Sequence, residues 1–244
     1  MSSKIVIYRI LREHQPVTEI TLTIDDQSQT LLSLQQEDLP AWAKLECHQC
    51  RHCPLSAESS PFCPVASCLA MLSEKLDEFM SHDAVTLEVV LPDRTISTQS
   101  TAQRVVGSLL GLMFATSGCP HMGFFKPMAR FHLPLASDDD TLFRATGMYL
   151  LSQYYVGKKG GNSDWNLDGL KQIYKNVHEV NTRLAERVRE PSKTDTSANA
   201  VIFLDMFTNL MPYAIEDRLV DIEHLFENYL QDSFAEFIHG KFAI

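Results

Sequence analysis

The stretch Cys47-His-Gln-Cys50-Arg-His-Cys53-Pro, followed by Phe62-Cys63-Pro-Val-Ala-Ser-Cys68, decides how this chain is organised. It holds five of the six cysteines within 22 residues, and the sixth is Cys119. Single buried cysteines are common in folded proteins, but packing alone does not explain five thiols in a stretch without apolar periodicity. In a reducing compartment, clustered cysteines are typically metal-binding or catalytic. The stretch therefore predicts a metal or iron–sulfur centre.

The spacing of the cysteines favours an iron–sulfur cluster over zinc. Zinc knuckles pair two thiolates and need a distant second pair. The run from Cys47 to Cys53 instead has a cysteine at every third position, which lets three thiolates ligate one 4Fe–4S cubane, with a remote Cys-Pro as the fourth ligand. Cys53, Cys63 and Cys119 all precede proline, which removes a backbone N–H beside a crowded site. Structural zinc is the alternative, a haem-responsive Cys-Pro site is a third option, and disulfides are less favoured.

Predicted helix positions distinguish the cysteines. Cys63 is expected to be the N-cap of a helix that has Pro64 at its first position, where the free N–H groups favour a thiolate. Cys119 is expected to follow a helix C-terminus, where the dipole opposes a bare thiolate, so a thiolate there requires a cation such as a metal ion. Cys68 falls on the apolar face of the helix after Cys63, which predicts a packing role.

The whole chain is predicted to have an α+β fold, and its first 98 residues are predicted to contain the strands, the cysteine-rich loop and one helix. Residues Pro92-Asp93 predict the turn of a β-hairpin. Apolar residues at helical spacing predict one helix over Val65 to Met80, after the cysteine-rich loop. Strands joined as a small antiparallel meander are predicted from the apolar runs and turn residues at 5–11, 19–24 and 30–34.

The remainder, residues 99–244, predicts a bundle of about five helices. We expect the first helix to open with a capping box at Ser100-Thr-Ala-Gln103 and the last to run from Ile215 to Ile238. The cysteine-rich metal loop of residues 1–98 would then face the bundle. One compact unit, joined by the metal site, is the predicted domain organisation.

Composition limits the function. The chain has 244 residues and 45% hydrophobic content, enough for one large domain or two small ones without disulfides. A formal net charge of −10 and the lack of a long basic run argue against nucleic acid as the main partner. The N-terminus lacks a signal-peptide pattern, and the apolar run Val105 to Ala115 is too short to span a bilayer. These features predict a soluble, cytoplasmic protein, with its oligomeric state and its protein or small-molecule partners left open.

A second group of functional side chains is expected in the long connection that follows Cys119. It contains His121, Arg130 and His132 among prolines and aromatic residues, a composition that predicts an ordered, packed loop. The histidines suit ligand or acid–base roles and the arginine suits an anion. The alternative is that each histidine is a structural hydrogen-bonding residue. These three residues define the predicted pocket.

Five blocks of the chain resemble a bacterial family of uncharacterised cysteine-rich proteins. The blocks are Cys50-x2-Cys53-Pro-Leu, Cys63-Pro-Val-Ala, Ser117-Gly-Cys-Pro-His121, Pro127-Met-Ala-Arg-Phe-His-Leu-Pro134 and Tyr149-Leu-Leu-Ser-Gln-Tyr-Tyr155. The resemblance covers most of the chain and brings no activity with it. It implies a metal-ligand quartet of Cys50, Cys53, Cys63 and Cys119, with Cys47 and Cys68 outside the pattern.

Three functions are consistent with these predictions. The first is a metalloprotein with a four-cysteine iron–sulfur or zinc centre that acts as a redox or metal sensor or adaptor. The second is an enzyme whose pocket, lined by His121, Arg130 and His132, lies beside that centre. The third is a structural zinc site in a protein-interaction module.

Overall fold

The structure, a computed structural model, describes residues 2–13, 15–34, 38–76, 78–188 and 195–231. It confirms the α+β fold. Its four-stranded sheet consists of β1 (Ser3–Arg12), β2 (Gln15–Asp25), β3 (Ala84–Val90) and β4 (Thr95–Thr101), in the spatial order β2-β1-β3-β4. Every neighbouring pair is antiparallel, and Pro92-Asp93 lies in the predicted hairpin turn between β3 and β4.

One face of the sheet forms half of the main core. Alternate residues of β1 turn inward, so that Val6, Tyr8 and Ile10 are fully buried. The inward residues of β2 and β3 follow the same period of two, as expected for strands with one covered face. β4 is polar and mostly exposed, which suits an edge strand.

The predicted third strand of the meander is wrong. Leu31 forms only an isolated bridge to Ile24. Its N–H donates instead to the carbonyl of Thr116, 2.8 Å away at the end of a helix. The chain therefore leaves the edge of β2 to reach the helical layer, and β3 completes the sheet on the other side of β1.

The helical part packs around α2, which is buried along most of its length. α2 contacts α1 on one side and α6 on another, and α5 packs along α6. The helices are α1 (Pro64–Leu76), α2 (Ala102–Thr116), α3 (Lys126–Arg130), α4 (Asp138–Lys158), α5 (Asp168–Val188), α6 (Asp195–Asp217) and α7 (Glu227–Leu230).

Three helix boundaries differ from the predictions. α1 ends at Leu76, short of the predicted end at Met80. The capping box at Ser100 is absent, because Thr101 is the N-cap of α2 and makes no side-chain capping bond. The N–H groups of Ala102 and Gln103 donate instead to backbone carbonyls, at 2.9 and 3.1 Å. The predicted helix from Ile215 is also wrong, because α6 ends at Asp217 and a 3-10 helix spans Val220–Phe226. Exposed apolar side chains in this region have no core to stabilise a longer helix, and residues 232–238 lie outside the described residues.

A shared hydrophobic core crosses the predicted boundary at residue 98, which itself falls inside β4. The main cluster combines side chains of the sheet, α1 and α2 with residues of α5 and α6. A smaller cluster lies between α4, α5 and α6, around Leu142, Tyr149 and Tyr174. Among the described residues, no helix is long and apolar enough to cross a membrane.

Candidate functional site

The cysteine-rich loop is closed at its base by backbone hydrogen bonds. The N–H of Leu45 donates to Pro61 at 2.9 Å, and the N–H of Cys63 donates to Ala43 at 2.8 Å. Cys63 therefore lies where the loop closes and α1 begins. As predicted, α1 begins at the next residue, and the N–H of Ser67 donates to the Cys63 carbonyl at 2.9 Å.

A buried arginine on α5 fastens this loop to the helical layer. The side chain of Arg187 is only 4% exposed. Its guanidinium donates to the carbonyls of Trp42, Lys44 and Leu45 at 2.9, 2.6 and 3.0 Å. Several charge-assisted bonds from one planar group hold both orientation and distance. α5 thus holds the start of the loop, a contact that the sequence analysis did not foresee.

Two further contacts join the middle of the loop to α5. The imidazole Nε2 of His52 lies 3.1 Å from the carbonyl of Asn176, and the N–H of Arg51 lies 3.4 Å from a carboxylate oxygen of Glu179. A carbonyl can only accept, so Nε2 of His52 carries the proton and Nδ1 carries a lone pair. That Nδ1 is buried and has no hydrogen-bond partner among the described residues.

Cys119 reaches the same region from the end of α2. Gly118 has a φ of 93°, a conformation that glycine adopts without strain. The hydroxyl of Ser117 accepts from the N–H of Cys119 at 3.2 Å, which fixes the turn. The thiol is buried. Cys119 therefore lies in the interior immediately after the end of α2.

Other thiols of the predicted quartet raise the pKa values of Cys50 and Cys119. Burial raises the pKa of Cys50 to about 12, with further increases from Cys63, Cys119 and Cys53. Burial also raises the pKa of Cys119 to about 11, although backbone N–H groups of Met122 and His121 oppose the change and Cys63 and Cys53 add to it. The four residues come from three separated segments of the chain. The four predicted ligands thus lie within the range at which their charges interact.

The position of these thiols does not by itself show that they bind a metal ion. Within the described part of the chain, no three His, Cys, Asp or Glu side chains are arranged as a group that could hold a metal ion. The raised pKa values of Cys50 and Cys119 mean that both are neutral thiols at pH 7 unless a cation lies beside them. The ligand assignment stays a prediction.

The other two cysteines differ from this group. Cys68 is fully buried between α1 and α2, and its Sγ donates to the carbonyl of Met113 at 3.7 Å. Burial, with Cys63 and Cys119 nearby, raises its pKa, so it packs as a neutral thiol. Cys47 is half-buried in the first turn of the loop, and its N–H donates to Lys44 at 3.2 Å.

Two stacked histidines lie beside the cysteine group. The rings of His52 and His121 are 3.9 Å apart at an interplanar angle of 27°. Nε2 of His121 donates to the carbonyl of His52 at 3.0 Å, which leaves a lone pair on its own Nδ1. His121 was among the residues predicted from the sequence, whereas His52 was not. The available signal was the repeated spacing in Cys50-Arg-His52 and Cys119-Pro-His121.

The three residues of the predicted pocket separate in the structure. His132 lines a cavity of about 200 Å³ between α2, the α3 region and α4. His121 lies at the cysteine group instead. Arg130 is exposed, and its carbonyl accepts from Lys4 at 3.3 Å. The arginines that line the cavity with His132 are Arg104 and Arg144, which the sequence analysis did not single out.

Two cations hold the backbone that carries His132. Lys4 donates to the carbonyl of Ala129 at 3.0 Å, and Arg144 donates to the carbonyls of Met128 and Phe131 at 3.0 and 2.8 Å. These carbonyls end α3, where cations are favourable. The imidazole of His132 is therefore presented from a fixed backbone.

His132 is neutral at physiological pH. Desolvation, together with the charges of Arg144 and Lys4, lowers its pKa to about 3. Its Nε2 makes a short hydrogen bond with the hydroxyl of Tyr8, whose own pKa is raised by burial. Both partners are thus held uncharged, and of the two it is His132 that lines the cavity.

Comparison with known proteins gives a family and nothing more specific. Neither a curated protein nor a solved structure matches the chain. The family described as Domain of unknown function (DUF6901) matches residues 6–227. That match includes all six cysteines and every side chain of the cysteine group and the cavity described above. The resemblance to a family without a known activity is confirmed: the chain belongs to the DUF6901 family.

Proposed function

We propose that this protein is a metal–thiolate protein in which Cys50, Cys53, Cys63 and Cys119 bind one centre, and that it acts as a redox or metal sensor or adaptor. The observation that carries the proposal is the effect of the other thiols on Cys50, since Cys63, Cys119 and Cys53 all raise its pKa. Thiols gathered from distant segments repel one another as thiolates. A bound cation reverses that repulsion and makes the gathering favourable.

Two neighbouring features support a centre at this place. The buried Nδ1 of His52 has no partner among the described residues and is a further electron-pair donor between Cys50 and Cys53. The loop from Leu45 to Pro61 also consists of turns and irregular backbone, so the sulfur atoms can close to the distance of about 2.3 Å that a metal–thiolate bond needs.

The centre would tie the cysteine-rich loop, α1 and the end of α2 together. Its loss would leave the loop held by Arg187 and the weaker contacts of Arg51 and His52 to α5. A change of metal or redox state would then alter the order of one surface loop, which is how a sensor or adaptor transmits its state. A 4Fe–4S cluster is the favoured cofactor, with zinc as the alternative.

Anaerobic purification followed by iron, zinc and sulfide analysis tests this proposal directly. A brown protein that absorbs near about 400 nm through thiolate–iron charge transfer, with iron and sulfide in equal amounts, is the expected result. A colourless protein with one zinc per chain would replace the cluster by a structural zinc site in a protein-interaction module. Absence of both metals from freshly purified protein, and no uptake on anaerobic reconstitution, would overturn the proposal.

Replacing Cys119 with serine is expected to lower metal content and thermal stability together. Serine has nearly the same size but is a poor ligand for zinc and iron–sulfur centres. Metal analysis and thermal unfolding of the same preparation measure both effects. Cys47→Ser is the matched control, because Cys47 lies in the same loop and outside the quartet, and it should keep its metal. Full metal content in the Cys119→Ser protein would exclude Cys119 as a ligand.

A further inference from the structure

The cavity lined by His132 is built mainly from apolar side chains. Its volume is about 200 Å³, larger than the 150 Å³ cavity that is known to bind benzene. It therefore suits an apolar body of about six to eight carbon atoms. The apolar walls come from α2, the α3 region and α6: Leu112, Ala115, Phe125, Met128, Leu204 and Phe207.

Two glycines of α2 help to make this space. Gly107 and Gly111 both line the cavity, one helical turn apart. A Cβ built at Gly111 meets no atom within 4 Å, so no close helix packing requires a glycine there. Glycine inside a helix is destabilising relative to alanine. The missing side chain leaves an open volume at the expense of helix stability.

The charges around the cavity favour an anion. Arg104 is exposed at the rim and has no hydrogen bond or ion pair to any residue that the structure describes. Arg144 lies in the wall. Among the described residues of the lining, Asp138 is the one carboxylate, and it is 3.9 Å from the guanidinium of Arg218. Two arginines therefore face one carboxylate in the lining, in a chain whose formal net charge is −10.

A hydrogen-bonded chain supplies a polar group in the wall. The N–H of Leu135 donates to the hydroxyl of Ser108 at 3.1 Å, and this hydroxyl lies 3.4 Å from that of Tyr8. We assign the Tyr8 hydroxyl as the donor to Nε2 of His132, because a phenol O–H is more acidic than a neutral imidazole N–H. Nδ1 of His132 then carries the proton and has no acceptor among the described residues.

We propose that this cavity binds a small organic anion with an apolar body, a medium-chain carboxylate or a compound of similar shape. The body lies between α2 and the α3 region. The carboxylate accepts from Nδ1–H of His132 and pairs with Arg104 at the rim. The site shares no residue with the cysteine group, so it does not depend on whether a metal is bound.

Titration calorimetry of the full chain with octanoate tests the proposal. A ligand of this size is expected to bind with a Kd on the order of 0.1–1 mM. Octanamide is the matched neutral probe, since it has the same length and lacks the charge. We expect octanamide to bind about tenfold more weakly, because hydrogen bonds and ion pairs to a carboxylate are stronger than those to an amide.

Two substitutions locate the site. Gly111→Leu should abolish octanoate binding by filling the cavity, and it should not lower stability because the helix gains a good helix former. Gly147→Leu is its control, since a Cβ at Gly147 in α4 also meets nothing within 4 Å and this residue does not line the cavity. Arg104→Gln should weaken octanoate binding about fivefold, as expected for one exposed ion pair.

Four results would overturn the proposal. The first is the absence of saturable octanoate binding by the wild-type chain up to about 10 mM. The second is unchanged binding in a folded Gly111→Leu protein, which would place the ligand elsewhere. The third is equal affinity for octanoate and octanamide, which would remove the preference for an anion. Loss of binding in both leucine variants would also contradict the assigned location.

Discussion

Replacing Arg187 with methionine is expected to lower the free energy of unfolding by about 3 kcal/mol. Methionine keeps much of the apolar stem, but the carbonyls of Trp42 and Leu45 lose the donors that now reach them at 2.9 and 3.0 Å. The carbonyl of Lys44 loses its bond of 2.6 Å and keeps the N–H of Cys47 at 3.2 Å. Buried carbonyls without partners are destabilising, and Arg187 is only 4% exposed. Urea unfolding followed by circular dichroism measures the change.

The same substitution should loosen the cysteine-rich loop before it unfolds the protein. Arg187 holds the first residues of this loop against α5, so its loss should expose Cys50 and Cys53 to solvent more often. In metal-free protein, their rate of reaction with a thiol reagent is expected to rise above that of the wild type. Unchanged thiol reactivity would show that the loop is held by its own closing hydrogen bonds.

Arg183→Met is the matched control for this prediction. Arg183 lies one turn earlier on α5 and pairs with Glu179 and Glu186 at 2.9 and 2.8 Å. These ion pairs are partly exposed, so we expect a loss below about 1 kcal/mol. Equal destabilisation by the two substitutions would contradict the role assigned to Arg187.

The sequence predicted the elements whose burial is periodic. β1 and β2 place apolar residues on one face at a period of two residues, and that periodicity is local in the chain. The capping box that opens α4 is equally local, because all its partners lie within Ser137 to Asp140. Such features need no knowledge of the rest of the fold.

Two of the wrong predictions, the third strand of the meander and the Ser100 capping box, occur where a distant backbone group replaces a local partner. The segment around Leu31 resembles a strand, but its N–H bonds to Thr116 instead of continuing the sheet. The first N–H groups of α2 are satisfied by carbonyls of Ser81 and Asp83 instead of by the Ser100 capping box. Every residue type carries the same backbone carbonyl acceptor, so no sequence pattern predicts which carbonyl accepts such a bond.

The candidate site shows the same limit. The quartet of Cys50, Cys53, Cys63 and Cys119 follows from thiol spacing and from the family resemblance, and it stays a prediction. The contribution of Arg187 was not predictable, since an arginine in the charged last turn of α5 is typical of an exposed position. Its partners are backbone carbonyls more than 140 residues away in the sequence.

Replacing His132 with glutamine is expected to make the protein less sensitive to acid. The pKa of His132 is about 3 in the folded chain, against an ordinary value of 6.5, because of desolvation and the charges of Arg144 and Lys4. Between these two pH values the unfolded chain binds a proton that the folded chain excludes. The stability that neutral His132 contributes is therefore fully present above pH 6.5 and is lost progressively as the pH falls toward 3.

The slope of the unfolding free energy against pH measures this contribution. One excluded proton gives a slope of up to about 1 kcal/mol per pH unit for a partly exposed group. His132→Gln keeps an acceptor for the hydroxyl of Tyr8 and cannot be protonated in this range, so its slope between pH 6 and pH 4 should be shallower by about that amount. Carboxylates such as Asp25 and Asp164, whose pKa values are lowered by hydrogen bonds, contribute equally to both proteins and cancel in the difference.

His82→Gln separates burial from the mere loss of a histidine. His82 is exposed on the turn before β3, so this substitution removes the same chemical group without removing a buried one. Its unfolding profile between pH 6 and pH 4 should follow that of the wild type. If the two glutamine variants have the same slope, the ring of His132 is hydrated in the folded protein, and the polar wall assigned to the cavity is wrong. If only His132→Gln has a shallower slope of unfolding free energy against pH, the imidazole of His132 is neutral in the folded protein, as an Nδ1–H donor in the cavity requires. This measurement involves no ligand.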